Sequence, residues 1–351
     1  MIRVASWPPW YAPNRYVELF HAAMAAHGIK HVPNLPLRAE ALASNGVHIA
    51  HLHWGEWAWQ SRGRFEWRRR GGVRALERFI VDAERRGIVV IWTVHNLAPH
   101  EHSRRSDEDG FALLYHRATL RIFHSRHARE EALERYGARG DTIVMPHGNY
   151  DGAFPAPRSR ELVRSELGLR PETRVLLSAG NVRAYKGTEV AVMAMQELAR
   201  FGYQLLIAGR AEGRALAEVK RAVRGIPGVR LEAGRMDAQR LADLHEAADA
   251  VLLPYSDVTG SGALLAALTQ SRAVIVTPLP YFRETLAPEP CAGVIAAGGS
   301  PNALVIAVEE CFASNMQTRY AAARRLADLY SWDRLVPPVA EWLHDHVVKR
   351  A

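Results

Sequence analysis

Three segments in the first 150 residues place histidine beside aromatic, acidic or amide side chains: HLHWGEW at 51–57, TVHNLAPHE at 93–101 and MPHGNY at 145–150. Thirteen of the sixteen histidines precede residue 148, so any imidazole chemistry belongs to the first half of the chain. Strand alternation puts His51 and His53 on one face with Leu52 opposite. A metal centre needs three or four convergent ligands, and an H-x-H pair supplies two, so the sequence indicates no metal. These imidazoles are expected instead to hydrogen-bond backbone or substrate hydroxyls. Glu56 and Glu101 each lie a few residues past a strand end. A carboxylate half-shielded by Trp54, Trp57 or Pro99 would have a raised pKa suited to taking a proton near neutral pH. The plainer alternative is a surface carboxylate paired with one of the many arginines.

The second half carries a different chemistry. SAGNVRAYKG at 178–187 sets Arg183 and Lys186 between a strand and a helix start, where two cations and outward-pointing amides would hold a pyrophosphate. LPYSDVTGSGALLAAL at 253–268 runs from strand to helix through Tyr255, Thr259, Gly260, Ser261 and Gly262. Its small residues let phosphate oxygens approach backbone N–H groups. Neither loop is a Walker sequence or a G-x-G-x-x-G, which argues against triphosphate hydrolysis and dinucleotide redox chemistry. His147, Asn149 and Tyr150 sit at a junction, where they would touch a donor or fix a hinge.

The elements that must position these residues alternate regularly. Strands are expected at Ile2–Ala5, His48–His53, Val89–His95, Arg121–His124 and Thr142–Pro146, with helices at Val73–Arg86 and Ser125–Tyr136. DGAFPAP at 151–157 reads as a boundary. A second series follows, with strands at Arg174–Ala179, Tyr203–Ala208, Val229–Ala233, Ala250–Pro254, Ala273–Thr277 and Gly293–Ala296, and helices that include Gly187–Arg200 and Asp237–Ala248. The stronger strands are continuous apolar runs, as in parallel sheets buried on both faces. The expected class is α/β, with two Rossmann-like domains facing a cleft and ligands at the carboxyl ends of the strands.

Composition sets outer limits. The 351 residues carry 45 basic and 37 acidic side chains, and 48% are apolar, which suits two globular domains and excludes wholesale disorder. No apolar stretch approaches the ~20 residues of a spanning helix, and the start has no secretory core segment. Cys291 and Cys311 are too few for a disulfide framework and fit a reducing cytoplasm. WGEWAWQSRGRFEWRRRG at 54–71 interleaves aromatics with Arg62, Arg64, Arg68, Arg69 and Arg70, a pattern suited to an anionic membrane surface or to a solvated basic loop. No nucleic-acid-binding signature accompanies the charge.

HLHWGEW, TVHNLAPHE, HGNY, RAYKG and LPYSDVTGSGALLAAL, in this order and spacing, resemble the GT-B-fold glycosyltransferases of bacterial exopolysaccharide assembly. The similarity is greatest to the xanthan-type GDP-mannose-dependent β-mannosyltransferases, and it extends from about residue 48 to about residue 275. YSWDRL at 330–335 also resembles the point where the last helix of many GT-B enzymes crosses back to the first domain. The resemblance implies an acceptor-binding domain at 1–155, a nucleotide-sugar-binding domain at 156–330 and a returning C-terminal helix at 331–351. It assigns the donor to Arg183, Lys186, Tyr255, Thr259, Ser261, Gly262, His147 and Asn149, and the acceptor to His51, His53, Trp54 and Asn96. Glu101 ranks ahead of Glu56 as general base, and His95 completes the catalytic set. The broad retaining family has two glutamates after the LP-type strand end, whereas Ala263–Ser271 contains no acid and only Asp257 lies near the first position. An inverting reaction is therefore implied.

The implied co-substrate is GDP-mannose, with no other cofactor. The implied acceptor is a lipid-linked oligosaccharide, met by a cytoplasmic enzyme peripheral on the inner face of the membrane. Three other readings stay open: a UDP-sugar-dependent transferase, a sugar-nucleotide epimerase of the same fold, and a non-catalytic sugar-nucleotide-binding partner.

Overall fold

A computed structural model describes residues 1–8, 15–98 and 103–348. The chain divides into two compact units, Met1–Gly148 with Trp332–Ala351, and Asn149–Ser331. The first division falls at Gly148, before the DGAFPAP segment. The helices Trp332–Leu335 and Pro337–Val348 are part of the first unit.

The first unit is a six-stranded parallel sheet ordered β2-β1-β3-β4-β5-β6. Its strands are β1 (Ile2–Trp7), β2 (Ile29–His31), β3 (Ile49–Leu52), β4 (Val89–Val94), β5 (Leu120–Phe123) and β6 (Asp141–Val144). The edge strand β2 has three residues, too short for a periodicity to reveal, and the sequence reading missed it. Alternation sorts the side chains onto two apolar faces. Ile2, Val4, Ile49, Val89, Ile91, Leu120 and Ile122 pack with Tyr16, Phe20 and Met24 of helix Tyr16–Ala25 and with Val336, Val339 and Leu343 near the C-terminus. Ala50, Leu52, Val90, Trp92 and Phe123 pack on the opposite face with Leu76, Phe79 and Ile80 of helix Glu66–Arg85. Burial on both faces is why β4 reads as a nearly unbroken apolar run.

Helix Glu66–Arg85 starts seven residues before the expected Val73, so the arginine-rich stretch is largely helical rather than a loop. Ser125 caps helix Arg126–Tyr136, its hydroxyl accepting from the Ala128 amide at 3.1 Å, as its place before the helix suggests.

The second unit is a parallel sheet ordered β12-β11-β10-β7-β8-β9. It comprises β7 (Arg174–Ala179), β8 (Tyr203–Gly209), β9 (Val229–Ala233), β10 (Ala250–Leu253), β11 (Ala273–Val276) and β12 (Gly293–Ile295). Helices Thr188–Leu198 and Pro301–Ala313 cover one face through Val192, Met195, Leu198, Leu304 and Val308. Both units are thus Rossmann-like, as the alternating pattern implies. Among the described residues, no helix is long and apolar enough to cross a membrane.

Candidate functional site

In the first unit the chemistry lies just past the carboxyl ends of β3, β4 and β5. The chain leaves β3 at Leu52 and turns through His53-Trp54-Gly55-Glu56 into the short helix Trp57–Gln60. It leaves β4 at Val94 and enters His95-Asn96. The two exits meet. Trp54 stacks on the His95 imidazole with centroids 4.5 Å apart and planes within 12°. The Glu56 carboxylate accepts a hydrogen bond from the Asn96 side chain. All four residues are half-buried, which keeps them at the edge of the unit's interior.

Burial pushes the Glu56 carboxyl up to about 7, opposed by a backbone hydrogen bond at Glu56 itself and by the Asn96 hydrogen bond, with nearby Asp107 adding to the shift. A group that titrates there can accept a proton at neutral pH and release it again. Glu101, expected as the leading base, lies outside the described residues.

Behind this edge the histidines form a connected layer. His95 Nε2 lies 3.5 Å from His53 Nδ1, and His95 Nδ1 lies 3.4 Å from His124 Nε2. The Tyr16 ring meets His53, His95, His124 and His147 edge-on at centroid distances of 4.9–5.7 Å. Burial, helped by neighbouring imidazoles, pushes His51, His53 and His95 well below the usual histidine range. His124 falls to about 4 and His147 to about 3 by burial. These rings are neutral at physiological pH.

His51 and His53 are 0% and 1% exposed, so they lie beneath Trp54 and Asn96 rather than beside them at the surface. Their expected acceptor contacts do not suit that depth. His147 is also buried, its Nδ1–H donating to the Gly148 carbonyl at 2.8 Å. The sequence reading missed Tyr16 and Trp332, which frame the layer at 5.1 Å from each other. It also missed His124, although alternation on β5 places it on the face of Leu120 and Ile122.

The basic stretch separates into two groups. Arg62, Arg64 and Arg68 are exposed, next to Phe65 at 49% and Trp67 at 69% exposure. The Arg68 guanidinium lies 5.1 Å from the Trp67 ring centre. Arg69 turns inward instead, to the buried Asp107 and, at 3.1 Å, to Ser106. Arg70 lies 3.5 Å from Glu66. Arg69 therefore does not belong to an exposed docking surface, because its charge is committed inside the unit.

In the second unit two loops lie side by side at the carboxyl ends of β7 and β10. The Ser256 amide donates to the Tyr185 carbonyl at 2.8 Å, joining the RAYKG turn to the LPYSDVTGSG loop. Gly187 has φ +65°, and a Cβ there would collide with the Pro254 carbonyl oxygen. Only glycine permits both the turn and the close approach. Lys186 is held over the Tyr255 ring, its Nζ 5.5 Å from the centre, and burial lowers its pKa. Arg183 is exposed at the same turn.

Tyr255 is buried; its phenol is hydrogen-bonded with Ser261, and its carbonyl accepts from Thr277 Oγ1 at 2.6 Å. Ser261 caps helix Gly262–Thr269, accepting from the Leu264 amide at 3.2 Å. Thr259 is half-exposed on the intervening loop, and Gly262 is half-exposed at the first position of the helix. Arg183, Lys186, Tyr255, Thr259, Ser261 and Gly262 thus belong to one pair of adjoining loops. Asn149 does not join them. It is buried, donating to Asp151 at 2.8 Å and to the Ala327 carbonyl at 3.0 Å, and it serves as a structural anchor at the start of the unit.

Comparison with known proteins agrees with this arrangement. Residues 173–314 match the family model "Glycosyl transferases group 1". The chain is 28% identical over 325 residues to the D-inositol 3-phosphate glycosyltransferase of Xylanimonas cellulosilytica, covering 85% of this chain and 72% of that protein. It is 28% identical over 246 residues to the GDP-mannose:glycolipid 4-beta-D-mannosyltransferase of Xanthomonas campestris pv. campestris, covering 67% of this chain and 62% of that protein. Sucrose-phosphate synthase from Thermosynechococcus elongatus superposes with a TM-score of 0.75 at 17% identity, over 99% of this chain and 100% of that one. The chain therefore has the GT-B fold, and the sheet and loops of its second unit, at residues 173–314, are similar to the group 1 glycosyl transferases.

Proposed function

We propose that the protein is an inverting glycosyltransferase that moves mannose from GDP-mannose to a lipid-linked oligosaccharide. The observation that carries this reading is Glu56, a half-buried carboxyl raised to about 7 at a strand end and hydrogen-bonded by Asn96. In a direct displacement, the Glu56 carboxylate takes the proton from an acceptor hydroxyl as that oxygen bonds to the anomeric carbon. The bond from that carbon to the diphosphate breaks, and the charge passes to the leaving nucleoside diphosphate. Arg183, Lys186 and the amides at the start of helix Gly262–Thr269 stabilise that charge. Trp54 offers a face for a sugar ring, and His95 beneath it is a neutral hydrogen-bonding partner for donor hydroxyls. The glycolipid mannosyltransferase relative supports the donor and the class of acceptor.

Arg62, Arg64 and Arg68 with Trp57, Phe65 and Trp67 are the surface we assign to the anionic inner face of the cytoplasmic membrane, where such an acceptor resides. The D-inositol 3-phosphate glycosyltransferase relative favours a second reading, a soluble phosphorylated acceptor.

The test is transfer from GDP-mannose to a polyprenyl-diphosphate-linked oligosaccharide, with the product anomer read by NMR, alongside thermal shifts with GDP, UDP, ADP and dTDP. A β-mannoside together with stabilisation by GDP alone supports the proposal. Preference for UDP overturns the donor, and transfer only to inositol phosphate overturns the acceptor. Release of an altered sugar from donor alone would identify an epimerase. Tight donor binding with neither transfer nor hydrolysis would identify a non-catalytic partner.

A further inference from the structure

We propose that His21, His51 and His53 form a buried site for one divalent transition-metal ion of the zinc class. His51 and His53 come from the end of β3, and His21 comes from helix Tyr16–Ala25, which covers that face of the sheet. Each ring brings one nitrogen to a cluster whose ligand atoms all lie within 4.8 Å of one another. Zinc bonded to imidazole nitrogens at ~2.0–2.1 Å needs three such atoms at this kind of spacing after small ring rotations.

The rings have polar capacity that the protein leaves unused. His21 Nδ1, His51 Nδ1 and His53 Nε2 are buried and have no hydrogen-bond partner among the described residues. Three such atoms on three neighbouring rings are costly, because a buried polar group without a partner loses its hydration for nothing. A cation bound by the rings would remove that cost.

The opposite nitrogens are already oriented. His51 Nε2 pairs with Thr93 Oγ1 at 2.8 Å, His21 Nε2 with Ser6 Oγ, and His53 Nδ1 faces His95 Nε2 at 3.5 Å. Outer partners of this kind set the tautomer and aim of metal-binding imidazoles. A cavity of about 480 Å³ near the β2 edge is lined by His21, with His31, Glu18 and Lys30. It gives an ion a route to the His21 side of the cluster. The ion would cross-link the covering helix to the sheet and so hold the layer behind Trp54 and His95. This is a structural role, separate from the transfer reaction and independent of it.

The experiment uses the full chain, stripped with chelator and then titrated with Zn²⁺, and separately with Co²⁺ read in the visible. The expected result is about one equivalent of Zn²⁺ per chain, a higher Tm on loading, and ligand-field bands of tetrahedral Co²⁺. His21→Gln and His51→Gln should each abolish stoichiometric uptake, while His116→Gln, an exposed histidine, should not. Absence of uptake by the unaltered protein overturns the proposal, as does uptake that survives in both cluster variants or is lost equally in His116→Gln. If circular dichroism shows the cluster variants unfolded, Ser6→Ala and Thr93→Ala decide. Each should weaken Zn²⁺ binding by roughly 10-fold or more, and unchanged affinity in both overturns the site.

Discussion

The Asn96 side chain donates a hydrogen bond to the Glu56 carboxylate, tying the exit of β4 to the exit of β3. Because the bond favours the ionised form while burial favours the neutral one, it helps, together with a backbone hydrogen bond at Glu56 itself, to set where Glu56 titrates. Transfer should therefore rise with pH through about 7. Asn96→Ala should move that inflection upward, since it removes a side-chain hydrogen bond that lowers the pKa. Glu56→Gln should cost roughly 10²–10⁴ in rate and abolish the inflection. A pH–rate profile of the three proteins checks this.

The same carboxyl has a stability consequence of opposite sign. Its folded pKa lies above its unfolded one, so stability from the neutral carboxyl is present at low pH and is lost as pH rises from about 4.5 through about 7. At pH 8, Glu56→Gln should stabilise the first unit by roughly 1–3 kcal/mol while removing activity. Denaturant melts at pH 5 and pH 8 would show it, with the gain confined to the higher pH.

Lys186→Met and Arg183→Ala should each reduce transfer by roughly 10²–10³ and remove the thermal shift given by GDP. Met keeps the packing over Tyr255 and removes only the charge, so the Lys186 result reads electrostatics. Full activity in both variants would return the two residues to an ordinary basic turn. Gly187→Ala acts differently, because its Cβ has no room beside the Pro254 carbonyl. A loss of roughly 2–4 kcal/mol is expected, measured as a fall in the melting midpoint.

Acid should weaken the fold through its buried neutral histidines. His147 at about 3 and His245 at about 4 are depressed by burial, and each donates from Nδ1 to a backbone carbonyl, that of Gly148 or of Leu241. The unfolded chain binds protons near pH 6.5 that these folded rings refuse. Their contribution is complete above that pH and is lost as pH falls toward 4, at up to about 1.4 kcal/mol per unit for each. His245→Asn should flatten the pH dependence of the second unit's melting, and an unchanged slope would remove His245 from the account.

The membrane assignment separates two kinds of arginine. Replacing Arg62, Arg64 and Arg68 with Ala should reduce salt-sensitive co-sedimentation with anionic vesicles and leave stability nearly unchanged. Arg69→Ala should instead destabilise the first unit by roughly 3–5 kcal/mol, because Asp107 at 1% exposure loses its charged partner. Equal vesicle binding by the triple variant and the unaltered protein would leave Arg62, Arg64 and Arg68 as a solvated face.

The order of elements was legible in the chain because the central strands bury both faces and therefore read as local apolar runs, as at Val89–Val94 and Ala250–Leu253. The two loops after β7 and β10 were legible for a related reason. The positive φ at Gly187 and the cap at Ser261 answer to local turn and cap geometry, which nearest neighbours in sequence decide, although the Pro254 carbonyl packed on Gly187 does not. What His21, Glu56 and Arg69 do depends on residues 30 to 40 positions away. His21 meets His51 only because helix Tyr16–Ala25 lies on the face that β3 turns toward it, and Glu56 is raised only because its surroundings exclude water. Arg69 leaves its basic neighbours only because Asp107 lies under the helix turn that carries it. Periodicity and turn chemistry are properties of a segment and can be read from it. Burial, and with it protonation and ligand geometry, is a property of the packed whole, and the tertiary structure alone decided it.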